Sequence, residues 1–216
     1  MEKPVITKEC INTLSETKFL NTYDLEYEKG RHYYIATRRN KDTITATKSL
    51  AEVDTMLADA VTCYIVIHLP GKDPLLLLQY EYRFPIGQYQ LCPPAGIIDE
   101  ADKLDPNPLI VASKREIFEE TGIKVRDCDK MKILCDLVFS TPGFTDECNA
   151  LVLTDVYRDD LSELTHANCE GTELFGDFVL LDKTDAKALL GSGRDPKGHH
   201  YPLYAYAALS YFVINY

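Results

Sequence analysis

Apolar and polar positions along the chain follow two different periods. Residues 60–69 (AVTCYIVIHL) are apolar at nearly every position, the pattern of a strand covered on both faces. Pro70-Gly71-Lys72-Asp73 reads as a turn into a second strand at 75–82, and 88–92 reads as a short third strand that stops at Pro93-Pro94. Upstream, 19–28 and 31–39 are rich in Tyr, Thr and Ile around Lys29-Gly30, which predicts a hairpin. Residues 40–59 are weakly patterned and read as a connection. Strands recur at 132–139, 150–157 and 175–181. Helical spacing over 108–121 predicts a helix that Asn107 or Asp105 would cap and Gly122 would end. Residues 184–190 and 203–214 read as two further helices. Mixed strands with interspersed helices give an α/β (α+β) sandwich. The expected division is a β appendage at 1–56 and a main domain at 57–216.

Composition narrows the function. The chain has 216 residues, 45% of them apolar, enough for a sizeable core. Its net charge of −11 speaks against a protein built to grip nucleic acid or an anionic membrane. A phosphorylated small molecule would still bind where local arginines or cations cancel the charge. The first residues, MEKPVIT, lack the basic and apolar segments of a signal peptide, and no apolar run approaches a membrane span. Seven cysteines without a CxxC argue for reduced thiols rather than a disulfide framework or a zinc site. The expectation is a cytoplasmic protein.

The segment with chemistry is 96–123, GIIDEADKLDPNPLIVASKREIFEETGI. On the predicted helix Glu116, Glu119 and Glu120 fall at i, i+3 and i+4 and share one face. Like charges at that spacing repel, so a cation among them would explain the cluster. Hard divalent ions take oxygen ligands, and Mg²⁺ is typically held by one or two carboxylates together with substrate phosphates. Arg115 can orient a glutamate from beside it. The plain alternative is a solvated acidic helix face.

With Pro94-Ala95-Gly96 before it and Thr121-Gly122-Ile123 after it, the segment resembles the Nudix box, G-x5-E-x7-R-E-U-x-E-E-x-G-U, where U is bulky and apolar. REIFEETGI matches throughout. Two departures stand out. Asp102 occupies the first glutamate position, and twelve residues rather than seven separate it from Arg115. Asp99 or Glu100 are alternatives for that first acid. Ser140-Thr141-Pro142-Gly143-Phe144-Thr145-Asp146-Glu147 resembles the SPG-x-(S/T)-x-E loop of the ADP-ribose pyrophosphatase branch, which makes Glu147 a candidate base. Gln79 to Pro85 with Gly87-Gln88-Tyr89 resembles the QxRxP…G-x-Y stretch of the same branch, in which Arg83 would reach the pyrophosphate. The branch usually has Glu two places before PAG, whereas this chain has Cys92.

The resemblance implies a Nudix α/β/α sandwich with a mixed sheet and an N-terminal dimerising β appendage. It implies Mg²⁺-dependent hydrolysis, with Mn²⁺ as the alternative ion, of a nucleoside diphosphate linked to another moiety. ADP-ribose or a related ADP-sugar would yield AMP and a sugar phosphate. Glu116, Glu119, Glu120 and the Ala95 carbonyl are the implied metal ligands. Glu147, Glu119 and Arg115 are the catalytic candidates, and Arg83, Arg38, Tyr33 and Gly96 the substrate contacts. The implied assembly is a homodimer with neither nucleic acid nor membrane as partner. Alternatives are a Nudix-fold sensor that binds a nucleotide sugar without cleaving it, and a pyrophosphatase for another nucleotide.

Overall fold

The computed structural model describes residues 4–169 and 173–216. Its elements, in order, are β1 (Ile11–Glu16), β2 (Asn21–Glu28), β3 (Arg31–Thr37), α1 (Leu50–Val53), β4 (Ala60–His68), β5 (Leu75–Arg83), β6 (Gln88–Cys92) and β7 (Ala95–Ile97). There follow α2 (Pro108–Thr121), β8 (Lys130–Phe139), β9 (Cys148–Tyr157), β10 (Phe175–Leu181), α3 (Lys183–Ser192) and α4 (Leu203–Asn215). This is the mixed α+β class that the pattern predicts. The chain divides into two units. One joins the residues up to Asp59 to Asp136–Asn149, and the other joins Ala60–Cys135 to Ala150–Tyr216.

The first unit holds an antiparallel sheet in the order β1-β2-β3. The hairpin between β2 and β3 forms as expected, with Tyr23 opposite Ile35 and Leu25 opposite Tyr33. Strand β1 was not expected. Only its first residue, Ile11, is buried, so INTLSE carries no apolar period to detect. Tyr23, Ile11, Leu25 and Ile44 form a small core.

The larger sheet runs β10-β5-β4-β9-β8, with β6 added to β5 and β7 to β4. Seven consecutive residues of β4 are buried, as its unbroken apolar run requires. The alternation of β5 is what builds the site. Leu76, Leu78 and Tyr80 pack with Ala208, Leu209 and Phe212 of α4 and with Ala186 and Leu189 of α3. Each such fully buried large side chain contributes about 1.5–3 kcal/mol. The intervening positions, Leu77, Gln79 and Glu81, are therefore turned to the other face.

Helix α2 has the predicted bounds. Pro108 at its first turn needs no N–H partner there, and Gly122 ends it at φ 76°. A Cβ at Gly122 would meet the Glu163 carbonyl oxygen at 2.4 Å, so both conformation and space demand glycine. Its expected cap, Asn107, makes no side-chain capping hydrogen bond. The buried residues of α2 are Leu109, Ala112, Ser113, Glu116, Ile117, Glu120 and Thr121. Two of the glutamates thus lie on the covered face of the helix, not the solvated one. Among the described residues no helix is long and apolar enough to cross a membrane. All seven cysteines are free thiols.

Candidate active site

The candidate residues fall into two groups, one in each unit. In the second unit Arg83, Ala95, Gly96, Arg115, Glu116, Glu119 and Glu120 come together around the last two turns of α2. Arg115 is the hub. Its Nη1 donates to Glu116 at 2.7 Å and to Glu119 at 3.0 Å, and its Nη2 donates to Asp102 and to the Ile97 carbonyl, each at 2.8 Å. Asp102 also accepts from the Asp99 amide at 2.9 Å. It is buried, and Arg115 and that amide outweigh the burial that would raise its pKa, which lies below the usual carboxylate range. Among the three acids left open for the first box position, Asp102 is the one locked onto Arg115. Asp99 stands farther off at 3.6 Å, and Glu100 pairs with Lys103. The five extra residues of the loop therefore leave the acid–arginine contact intact.

Glu116 and Glu120 have less company. The Glu116 carboxylate lies against Gly96, where a Cβ would sit 2.0 Å from it, so only glycine admits the acid. Burial pushes Glu116 up to about 7 even though Arg115 pulls it down, and Glu119 and Glu173 add repulsion. Glu120 is 2% exposed. It accepts from Gln79 Nε2 and, at 3.4 Å, from the Ala95 amide. Burial, then the charges of Glu81, Glu116 and Glu173, raise it well above the ordinary range. Carboxylates outnumber guanidiniums on this face, and the donor set is all oxygen, which suits a hard divalent cation. As they stand, no three His, Cys, Asp or Glu among the described residues are arranged as a ligand set. The Arg115 guanidinium bridges Glu116 and Glu119 instead.

Gln79, Glu81 and Arg83 line the strand side of the site. Gln79 reaches Glu120, Arg83 pairs with Glu81 at 2.6 Å, and the Cys92 thiol donates to Glu81 at 3.5 Å. Neither Glu81 nor Glu173 was among the expected site residues. The signal for Glu81 was its place two residues before Arg83 on a strand, which puts both on one face. Nothing local marks Glu173.

The first unit gathers Tyr33, Arg38 and Glu147. Arg38 Nε donates to Glu147 at 2.9 Å, and the Tyr33 hydroxyl donates to the Gly143 carbonyl at 2.7 Å. The neighbouring Asp146 is buried and holds the loop down, accepting from Thr37 at 2.5 Å and from the Thr45 amide at 2.9 Å. Arg39 ties Asp59, at 2.8 Å, to Asp146, at 3.4 Å. The half-exposed Glu147 is thus carried on a loop that its neighbour fastens.

No family model matches the chain. Individual relatives do. It is 34% identical over 102 residues to the putative nudix hydrolase 2 of Caenorhabditis elegans, across 47% of this chain and 42% of that protein. It is 34% identical over 92 residues to the ADP-ribose pyrophosphatase of Saccharomyces cerevisiae, covering 43% of this chain and 36% of the relative. Against the ADP-sugar pyrophosphatase of Mus musculus it is 27% identical over 128 residues, with 59% and 55% covered. The chain thus matches from about a third to just over half of each relative's length. A solved structure described as an ADP compounds hydrolase superposes with a TM-score of 0.58 at 18% identity, covering 97% of this chain and 92% of that one, and so shares the fold. The chain is thus similar in sequence to Nudix hydrolases over part of its length and shares its fold with an ADP compounds hydrolase.

Proposed function

We propose that the protein hydrolyses the pyrophosphate bond of a nucleoside diphosphate linked to another moiety, with ADP-ribose or a related ADP-sugar as substrate and AMP and a sugar phosphate as products. The observation that carries this reading is the burial of Glu116 and Glu120 against Ala95 and Gly96 of β7 with too few cations to neutralise them. A divalent ion, Mg²⁺ or Mn²⁺, fits that donor set. It would be held by Glu116, Glu120 and the Ala95 carbonyl, with Glu119 beside them. When bound, such an ion neutralises phosphate oxygens and acidifies the attacking water. Gly96 leaves room for the Glu116 carboxylate. Arg115 orients Glu116 and Glu119, and Arg83 offers its part-exposed side chain to a phosphate. Glu147 and the box glutamates are the groups able to take the proton from water. Tyr33 and Arg38 are candidate contacts to the nucleotide. The exposed Leu14, Phe19, Leu20 and Tyr34 support the first unit as a dimerising surface.

Glu120→Gln tests the reading directly. Glutamine matches the protonated acid in shape, so the fold should survive. Losing a stabilisation of several kcal/mol in the transition state lowers Mg²⁺-dependent turnover of ADP-ribose by about a hundredfold or more. Turnover within tenfold of wild type would contradict it. Binding of ADP-ribose without any product by the wild-type protein would favour the sensor.

A further inference from the structure

One acid of the candidate site has no part in the reading above. Glu81 is 7% exposed on the β5 face that also carries Gln79 and Arg83. One of its oxygens accepts from Arg83 Nη1 at 2.6 Å, and the other accepts from the Cys92 thiol at 3.5 Å. Cys92 stands on β6 opposite Gln79, and its sulfur is 4.0 Å from Arg83 Nη2. Carboxylate, guanidinium and thiol therefore close a ring of contacts on one sheet face. Burying an acid here is costly, and Arg83 is the guanidinium that contacts it among the described residues. The Arg83 side chain keeps 42% of its surface exposed while its Glu81 edge is covered. A guanidinium carries five donors in a rigid plane, so a short contact at Nη1 fixes the direction of the whole group.

We propose that Glu81 is the positioning residue of Arg83, holding its part-exposed guanidinium in the orientation that meets a phosphate oxygen of the substrate. The inference rests on the phosphate role proposed for Arg83. It also explains Cys92. The glutamate that the resemblance expects at position 92 is absent, and the carboxylate stands instead on the adjacent strand, within contact of that position.

Removal of the acid has a diagnostic sign. If Glu81 only added negative charge beside a phosphate, Glu81→Gln would strengthen binding of the anion. If Glu81 orients Arg83, the same change weakens it, by about tenfold or more for an outer contact of this kind. The experiment compares wild type, Glu81→Gln and the double variant Glu81→Gln/Cys92→Glu in the full chain. It reads ADP-ribose affinity by calorimetry in EDTA, and KM and kcat with Mg²⁺. The expected result is a rise of about tenfold in both the dissociation constant and KM for Glu81→Gln, with kcat changed much less. The double variant, whose carboxylate is returned to position 92, recovers most of the loss. Unchanged or tighter binding by Glu81→Gln overturns the proposal. So does failure of the double variant to recover affinity while melting like wild type. If Glu81→Gln alone unfolds, the double variant compared with wild type decides in the same way. A wild-type protein that binds ADP-ribose without cleaving it defeats the hydrolysis reading but leaves the affinity comparison decisive. One that does not bind it defeats both.

Discussion

Arg158 and Arg115 each collect buried acids in the second unit, and the two clusters end in opposite electrostatic states. Arg158, whose side chain is 4% exposed, grips Asp129 with both Nη atoms at 2.9 and 3.0 Å and spends further donors on the Tyr157 and Lys124 carbonyls. Asp129 also accepts from the Arg126 and Tyr157 amides at 2.7 and 3.0 Å. These bonds overcome the burial that would raise its pKa, and the acid is held below the usual range. Every charge there has an answer within the fold. Around Arg115, Asp102 reaches that condition, while Glu116 and the neighbouring Glu120 are pushed upward. A closed cluster serves the fold. An open one is kept short of positive charge at a cost to stability, and the function proposed above gives that shortage a use, the binding of a cation.

The strongest way to break the contrast is to remove one acid from each cluster. Asp129→Asn removes the bidentate partner of the buried Arg158, leaving it Glu163 alone, and should cost about 3 kcal/mol of stability, read by urea denaturation. Glu120→Gln should cost far less, because it replaces an acid that burial already favours in its neutral form. Equal losses from the two variants would erase the distinction.

The two clusters also differ in how far they could be read from sequence. Glu116, Glu119 and Glu120 are legible because helical spacing places them together, and α2 itself is legible because Pro108 and Gly122 punctuate it. β10 is equally clear, with the predicted bounds. Contacts made by strand pairing or by distant loops are not local in the chain. Glu81 meets Cys92 only through the β5–β6 register, and Asp129 meets Arg158 across a separation of 29 residues. β1 and the three-residue β7 escaped for a different reason, since neither carries an apolar alternation long enough to register. Asp102 was one of three candidates until Arg115 selected it.

A smaller effect sharpens the same comparison from the backbone side. Gly96→Ala inserts a Cβ into the Glu116 carboxylate, and overpacking of this kind costs roughly 1–3 kcal/mol. The acid must move, so Mg²⁺-dependent ADP-ribose turnover should fall more than the melting temperature does. An equal and minor effect on both would show that Glu116 has room to shift without consequence.

The most direct test is thermal unfolding of the wild-type protein between pH 5 and pH 8, with and without Mg²⁺. Glu116 rises from an ordinary 4.5 to about 7 in the fold, so the stability linked to its protonated form is complete below 4.5 and is lost as pH climbs through 7. Without a divalent ion the stability should therefore decline across that window, by at most about 1.4 kcal/mol per pH unit for this one group, and the melting temperature with it. Saturating Mg²⁺ should cancel the decline, because the cation takes the place of the proton. A melting temperature that declines equally with and without Mg²⁺ would contradict the account.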